Sequence, residues 1–188
     1  MPLGQPWHPD APEHDFQPGW ARVQWDPARL RYEALFMGAA AGNSARQLNE
    51  RTWELGDVGE IFLQAGGRPA YLEIHVTPEN VRLQLLWSPD GLVRVRNKAA
   101  TLAEFMIAEP DWVESEARVH PACWTFWAEI PAARLGLARF HAGQLLQTAV
   151  CRYHSRGANP VLSSTAPLPM PFFHHREKWH SLLLAGDT

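Results

Sequence analysis

The chain has only two cysteines, Cys123 and Cys151, in 188 residues. Two is too few for a disulfide framework, and neither sits in a CxxC pair. Both fall in segments with strand pattern, so buried thiols are expected, with a bridge across neighbouring strands as the second reading. No apolar run approaches the roughly 18 residues that a membrane helix requires, so no membrane span is expected. The opening MPLGQPWHPDAPEHDF has neither a basic n-region nor an apolar h-region; the expectation is a soluble chain without a signal peptide, cytoplasmic as it stands. No sign of charge dominates: 17 Lys and Arg face 20 Asp and Glu, for a net charge of -3. A nucleic-acid binder would show a basic stripe. The densest cluster, Arg94, Arg96 and Lys98, alternates with Val95 and Asn97 and suggests one solvated strand face. GxSxG, HExxH, GxxxxGK[ST] and GxGxxG are all missing, which removes the commonest hydrolase, metalloprotease and nucleotide-binding signatures.

What is present is apolar and aromatic. Hydrophobic residues make up 46% of the chain and nine of its residues are Trp. A chain of this length can bury roughly 70% of its unfolded surface in one core. Most of the Trp should be core, with a few left as exposed platforms. Residues 1–19 are rich in Pro, His and Asp and suggest an extended lead-in segment, followed by one domain over 20–188. From Ala21 the pattern alternates with period two, the signature of half-buried strands. Ala21–Trp25 and Leu30–Met37 flank an Asp-Pro turn and predict a hairpin. Residues 38–52 predict a loop. Strands are expected at 58–64, 71–76, 81–87, 92–97, 124–130, 145–154 and 179–184. In the fourth segment of the chain, Tyr71, Glu73 and His75 share one face and Leu72, Ile74 and Val76 the other. Residues 99–107 fit either a short helix or a strand. Residues 131–136 predict a helical turn ended by glycine, 155–157 a turn, and 160–178 a proline-rich loop. Nine or ten strands with little helix predict an all-β antiparallel β-sandwich, jelly-roll-like, with at most short helical turns.

Side chains able to carry chemistry give few constellations. The best metal candidate is the pair His174-His175 with Glu177 and His180. Adjacent residues on an extended segment point to opposite faces, so one ion would not take both; no metal site is expected there. Loop carboxylates such as Asp57 or Asp111 could hold a structural calcium. Glu60 and Glu73 could lie near one another on neighbouring strands, as glycoside hydrolysis would require. Cys151 and His154 are three apart on a strand and should face opposite sides, so they do not form a nucleophile–base pair. No catalytic residue is expected.

Five runs, in order along roughly residues 20–185, carry a resemblance. They are Trp53-Glu54-Leu55-Gly56-Asp57-Val58-Gly59-Glu60-Ile61-Phe62-Leu63; Tyr71-Leu72-Glu73-Ile74 leading into Thr77-Pro78; Trp127-Ala128-Glu129-Ile130-Pro131 with Leu135-Gly136; Val150-Cys151-Arg152-Tyr153; and Phe173-His174-His175-Arg176-Glu177-Lys178-Trp179. Together they resemble the family 9 carbohydrate-binding modules and related DOMON-like sandwiches. The resemblance implies a non-catalytic module that holds a small saccharide, or the end of a polysaccharide, between two aromatic side chains in a slot at one end of the sandwich. A pyranose offers an apolar C–H face to an aromatic ring and hydroxyls at its rim to charged or amide groups. By position, the resemblance makes Trp53 the first aromatic platform and Phe173 the second. Glu60 becomes a hydroxyl-binding carboxylate, Arg152 a polar ligand on a neighbouring strand, and His174 a further contact. Relatives are usually secreted. Two other readings stand beside it: an interaction domain that has lost the sugar site, and a haem-binding sandwich with Met106 and His75 or His174 as axial ligands.

Overall fold

The computed structural model describes residues 1–155 and 159–186. Among the described residues, eleven strands form two antiparallel sheets. In chain order they are β1 (Pro2–Leu3), β2 (Gly19–Trp25), β3 (Arg29–Met37), β4 (Val58–Ala65), β5 (Tyr71–Val76), β6 (Arg82–Trp87), β7 (Glu114–His120), β8 (Cys123–Pro131), β9 (Leu145–His154), β10 (Val161–Ser164) and β11 (His180–Leu183). The first sheet runs β1-β2-β3-β8-β7 and the second β10-β9-β4-β5-β6, with β11 paired to β9 beside β10. This is the all-β sandwich the alternation predicts, and its helical content is confined to short pieces. The lead-in segment joins the fold at its start: Pro2–Leu3 pairs with β2, and Gly4 bridges Ser164 of the other sheet.

Period-two patterning explains the layers. Leu30, Tyr32 and Phe36 of β3 meet Ile61 and Leu63 of β4, Leu72 and Ile74 of β5, and Trp124 and Phe126 of β8 in one core between the sheets. Burial of these side chains is the main stabilising term, about 1.5–3 kcal/mol for each large apolar one. The sheets approach so closely at Gly59 that a Cβ there would lie 2.4 Å from the Phe126 ring and 2.8 Å from that of Phe36.

The second sheet is buried on its outer face as well. Phe62, Tyr71, Leu83, Leu85, Trp87, Ala149 and Cys151 form a second apolar cluster with Phe105, Phe173 and Trp179. Much of its cover comes from segments whose pattern misleads. Of residues 92–97, expected as a strand, 92–96 lie in the helix α1 (Gly91–Arg96) and Asn97 caps its C-terminus. Six residues cannot separate a two-fold from a 3.6-fold period, and Leu92 and Val95, three apart, pack on the sheet as one helical face. Arg94 and Arg96 therefore lie on a helix: Arg94 pairs with Glu104 and Arg96 stands over the Phe172 ring. The undecided stretch 99–107 contains a 3-10 turn, Leu102–Phe105, whose Glu104 carboxylate accepts from the Thr101 N–H. β7 gave no strand signal because it is a polar edge strand, with only Ala117 packed on the core. The turn at Ala132–Leu135 ends, as predicted, in Gly136 at φ 67°. The 160–178 stretch is shorter loop than expected, since it holds β10 and a 3-10 turn, Arg176–Lys178. The turn expected at 155–157 falls largely outside the described residues. Both cysteines are free thiols; Cys151 is buried and Cys123 half-buried. Among the described residues, no helix is long and apolar enough to cross a membrane.

Candidate functional site

A cavity of about 370 Å³ opens on the outer face of the second sheet, between its strands, α1 and the 171–174 loop. It lies over the sheet rather than at the end of the sandwich. Strand register sets its floor. Glu60 of β4 lies directly opposite His75 of β5, and Glu73 is two residues from His75 on the same face. Trp53 forms one wall, edge-on to His75 with ring centroids 5.7 Å apart. Phe172 and Phe173 form part of another, and Leu92 and Val95 of α1 close the side.

Trp53 is placed by the loop before β4. The Asn43 side chain donates to Thr52 O and Asp57 O and accepts from the Ala45 N–H, which ties down the 3-10 turn Thr52–Glu54. Gly56, at φ 149°, lets this loop close on itself: a Cβ there would stand 2.3 Å from Gly42 O. Only glycine accepts both that backbone conformation and that approach.

The three polar groups of the floor have unequal partners. The Trp87 indole N–H donates to Glu73 Oε2 at 2.6 Å, and His75 Nε2 meets Glu73 Oε1 at 2.8 Å. The other imidazole nitrogen, Nδ1, meets Thr52 Oγ1 at 2.8 Å. Glu60 is 4% exposed and has no hydrogen-bond partner among the described residues; its Oε2 lies 3.8 Å from His75 Nε2. Burial, aided by the Glu73 charge and opposed by His75, pushes the Glu60 carboxyl up to about 7. Burial would also raise Glu73, but His174, His75 and the Trp87 N–H outweigh it and hold Glu73 below the usual carboxylate range. Burial opposes charge on His75, yet Glu60 and Glu73 more than offset it and raise that imidazole. His174 bonds Tyr71 OH through Nδ1 and lies 3.7 Å from Glu73 Oε2 through Nε2; burial lowers its proton affinity.

Of the five residues expected at the site, Trp53, Glu60, Phe173 and His174 line this one cavity. Phe173 is buried and packs edge-on to Phe62. Arg152 is not with them. From β9 it pairs with Gly59 of β4 and so points between the sheets, where its guanidinium donates to Met37 O, lies over the Phe36 ring and stands beside His154. Neighbours in a strand alternate faces; Cys151, not Arg152, shares the Glu60 face. Asp57, considered for calcium, accepts from the Gly42 N–H and contacts His154, while Asp111 is exposed on a 3-10 turn. Met106 packs on the outer cluster without lining the cavity, which leaves the haem reading without its sulfur ligand there. Sequence reasoning did not assign Glu73 or His75 to a sugar site, although their shared face with Tyr71 was legible. Arg51, Trp87, Tyr153 and Phe172 were missed, because only the tertiary fold brings them to this cavity.

A larger groove, about 610 Å³, runs over the outer face of the first sheet. Its charged side chains already satisfy one another. Glu33 pairs with Arg22 and Arg31, Glu116 with Arg118 and the Trp127 indole N–H, and Arg31 covers the Trp127 ring at 4.4 Å. The smaller cavity, where Glu60 has no donor among the described residues, is the better built for a ligand.

No protein-family model matches the chain, and no curated protein does. Solved structures do. A Bacteroides uniformis protein proposed to bind carbohydrate superposes with a TM-score of 0.70 at 14% identity, over 89% of this chain and 78% of that one. A family 9 carbohydrate-binding module from Caldicellulosiruptor kristjanssonii, in complex with glucose, gives 0.62 at 12% identity over 95% and 81% of the two chains. A structure of such a module from the same organism with cellotriose gives 0.60 at 12% over 95% and 80%. At this identity the likeness establishes the architecture: the chain has the fold of the family 9 carbohydrate-binding modules.

Proposed function

We propose that the cavity over the second sheet binds a small saccharide or the end of a polysaccharide, without catalysis. One observation carries the reading: aromatic walls and a buried carboxylate with no donor among the described residues face the same cavity. Apolar sugar C–H groups pack on Trp53 and on Phe172 or Phe173. Hydroxyl groups supply the hydrogen bonds that Glu60 lacks, and a hydrogen bond to a charged acceptor contributes about 1.5–3 kcal/mol. The volume lies within the roughly 300–1,000 Å³ usual for small-ligand sites. The modules of like fold that were solved with glucose and with cellotriose support the ligand class.

The test is tryptophan fluorescence and calorimetry during titration with glucose, cellobiose and xylobiose, for the wild type and Trp53→Ala. Saturable binding in the wild type, lost in the variant, is the expected result. Silence towards mono- and disaccharides alike would sink the reading and leave an interaction domain with a vestigial cavity.

A further inference from the structure

The floor of the cavity contains a second, separable arrangement. Glu60, Glu73 and His75 each present one donor atom, and the three atoms lie within 4.8 Å of one another. We propose that these side chains bind one divalent first-row transition ion, with zinc as the best fit.

The geometry fits an ion at the centre of the three. For bonds of about 2.0–2.1 Å, tetrahedral ligand atoms are about 3.3–3.4 Å apart. Here His75 Nε2 is 2.8 Å from Glu73 Oε1 and 3.8 Å from Glu60 Oε2, on either side of that spacing, and the three atoms lie within 4.8 Å, so a small side-chain adjustment closes the set on one ion. The imidazole selects a borderline ion over calcium or magnesium, which prefer all-oxygen shells.

The outer shell is also in place. Thr52 Oγ1 sits 2.8 Å from His75 Nδ1, where it can accept that N–H once Nε2 binds metal. The Trp87 N–H fixes the far oxygen of Glu73. Such partners orient metal ligands and raise their basicity. The independent observation is Glu60. Its carboxylate is 4% exposed, lacks any hydrogen-bond donor among the described residues, and faces the cavity. A buried acceptor of this kind is set to take a partner from the cavity, and a cation held between it and Glu73 supplies one. Three protein ligands leave a fourth position open to the cavity, as in sites where the ion also contacts a ligand. An oxygen-rich molecule would enter there, so the ion would add to the saccharide reading without depending on it.

The test uses full-length protein stripped with EDTA and dialysed. Zinc chloride is titrated calorimetrically, and cobalt(II) is added separately to read its visible d–d bands. The expectation is one zinc per chain and tetrahedral-type cobalt absorption. Glu60→Gln should weaken zinc by roughly tenfold or more, and Thr52→Val, which touches only the outer shell, by about ten- to hundredfold. His14→Ala, on the exposed lead-in segment, should change nothing. A wild type that takes up no zinc, or zinc affinity in Glu60→Gln and Thr52→Val unchanged from the wild type, overturns the proposal, as does binding lost in His14→Ala. Circular dichroism of each variant separates lost ligation from lost fold. Sugar titrations with and without EDTA keep the two readings apart: zinc uptake without sugar binding leaves only the metal site, and sugar binding without zinc uptake only the saccharide site.

Discussion

Glu60 and His75 face one another across β4 and β5, with Oε2 and Nε2 3.8 Å apart. The same Nε2 is 2.8 Å from Glu73. The histidine thus sits between two buried carboxylates and bonds only one of them. This asymmetry separates the two acids. Glu73 is part of the fold's hydrogen-bonded structure, and Glu60 is available to a ligand.

Glu73→Gln and Glu60→Gln should therefore behave differently. The first disturbs the contacts with His75 and the Trp87 N–H and should cost about 1–3 kcal/mol of stability. The second has no hydrogen bond to lose among the described residues and should leave the denaturation midpoint nearly unchanged while weakening ligand binding. Urea melts of both variants in EDTA measure this; equal losses would show that Glu60 is structural.

Two tryptophans, Trp53 over the second sheet and Trp127 on the first, provide a map of the site. Trp53→Ala should lower saccharide affinity at least tenfold, about 1.4 kcal/mol, while Trp127→Ala should leave it unchanged. Trp127 lies in the groove over the first sheet, against Arg31. Loss of binding in Trp127→Ala alone would move the site to that groove.

Arg152→Met should lower stability without changing ligand affinity. The guanidinium is 1% exposed between the sheets, near Asp57 and His154. Removing one member of a buried charged group costs about 3–5 kcal/mol. Chemical denaturation, with sugar titration of the folded fraction, checks both halves; a variant of full stability and weakened binding would refute this placement.

Gly59→Ala should destabilise the sandwich by about 1–3 kcal/mol through overpacking. The added methyl has to displace the Phe126 and Phe36 rings. A thermal melt at or above the wild-type midpoint would show that the rings move aside freely.

The two thiols should differ in reactivity. Burial pushes the Cys151 thiol well above its usual range, with the neighbouring Glu60 and Glu73 charges adding to the rise. Thiolate is the reactive form, so at pH 8 a thiol reagent should label Cys123 in the folded protein and Cys151 only after denaturation. Rapid labelling of both under native conditions would contradict the described burial.

Strand alternation was enough to place β2, β3, β4, β5, β8 and β9 within a residue or two. β2, β3 and β8 carry apolar side chains on one face that must leave water together, which period two records directly, whereas β4, β5 and β9 are buried on both faces and read as apolar runs between turns. The same periodicity put Glu73 and His75 on one face. α1 was read as a strand because six residues fit either period, and its contacts with the outer cluster decide between them. β7 was silent because an edge strand in water needs little apolar patterning.

For the site, sequence determined which residue types were available: Trp53, Glu60, Phe173 and His174 in two distant segments, and a Glu-x-His face between them. It could not determine which side of β9 held Arg152, because a single residue of register exchanges its two faces. Pairing with Gly59 decided that and sent Arg152 between the sheets. Only the tertiary structure closed α1 and the 171–174 loop over the second sheet. That cover leaves Glu60 4% exposed at the floor of the cavity, an environment that arises from packing between segments far apart in the chain.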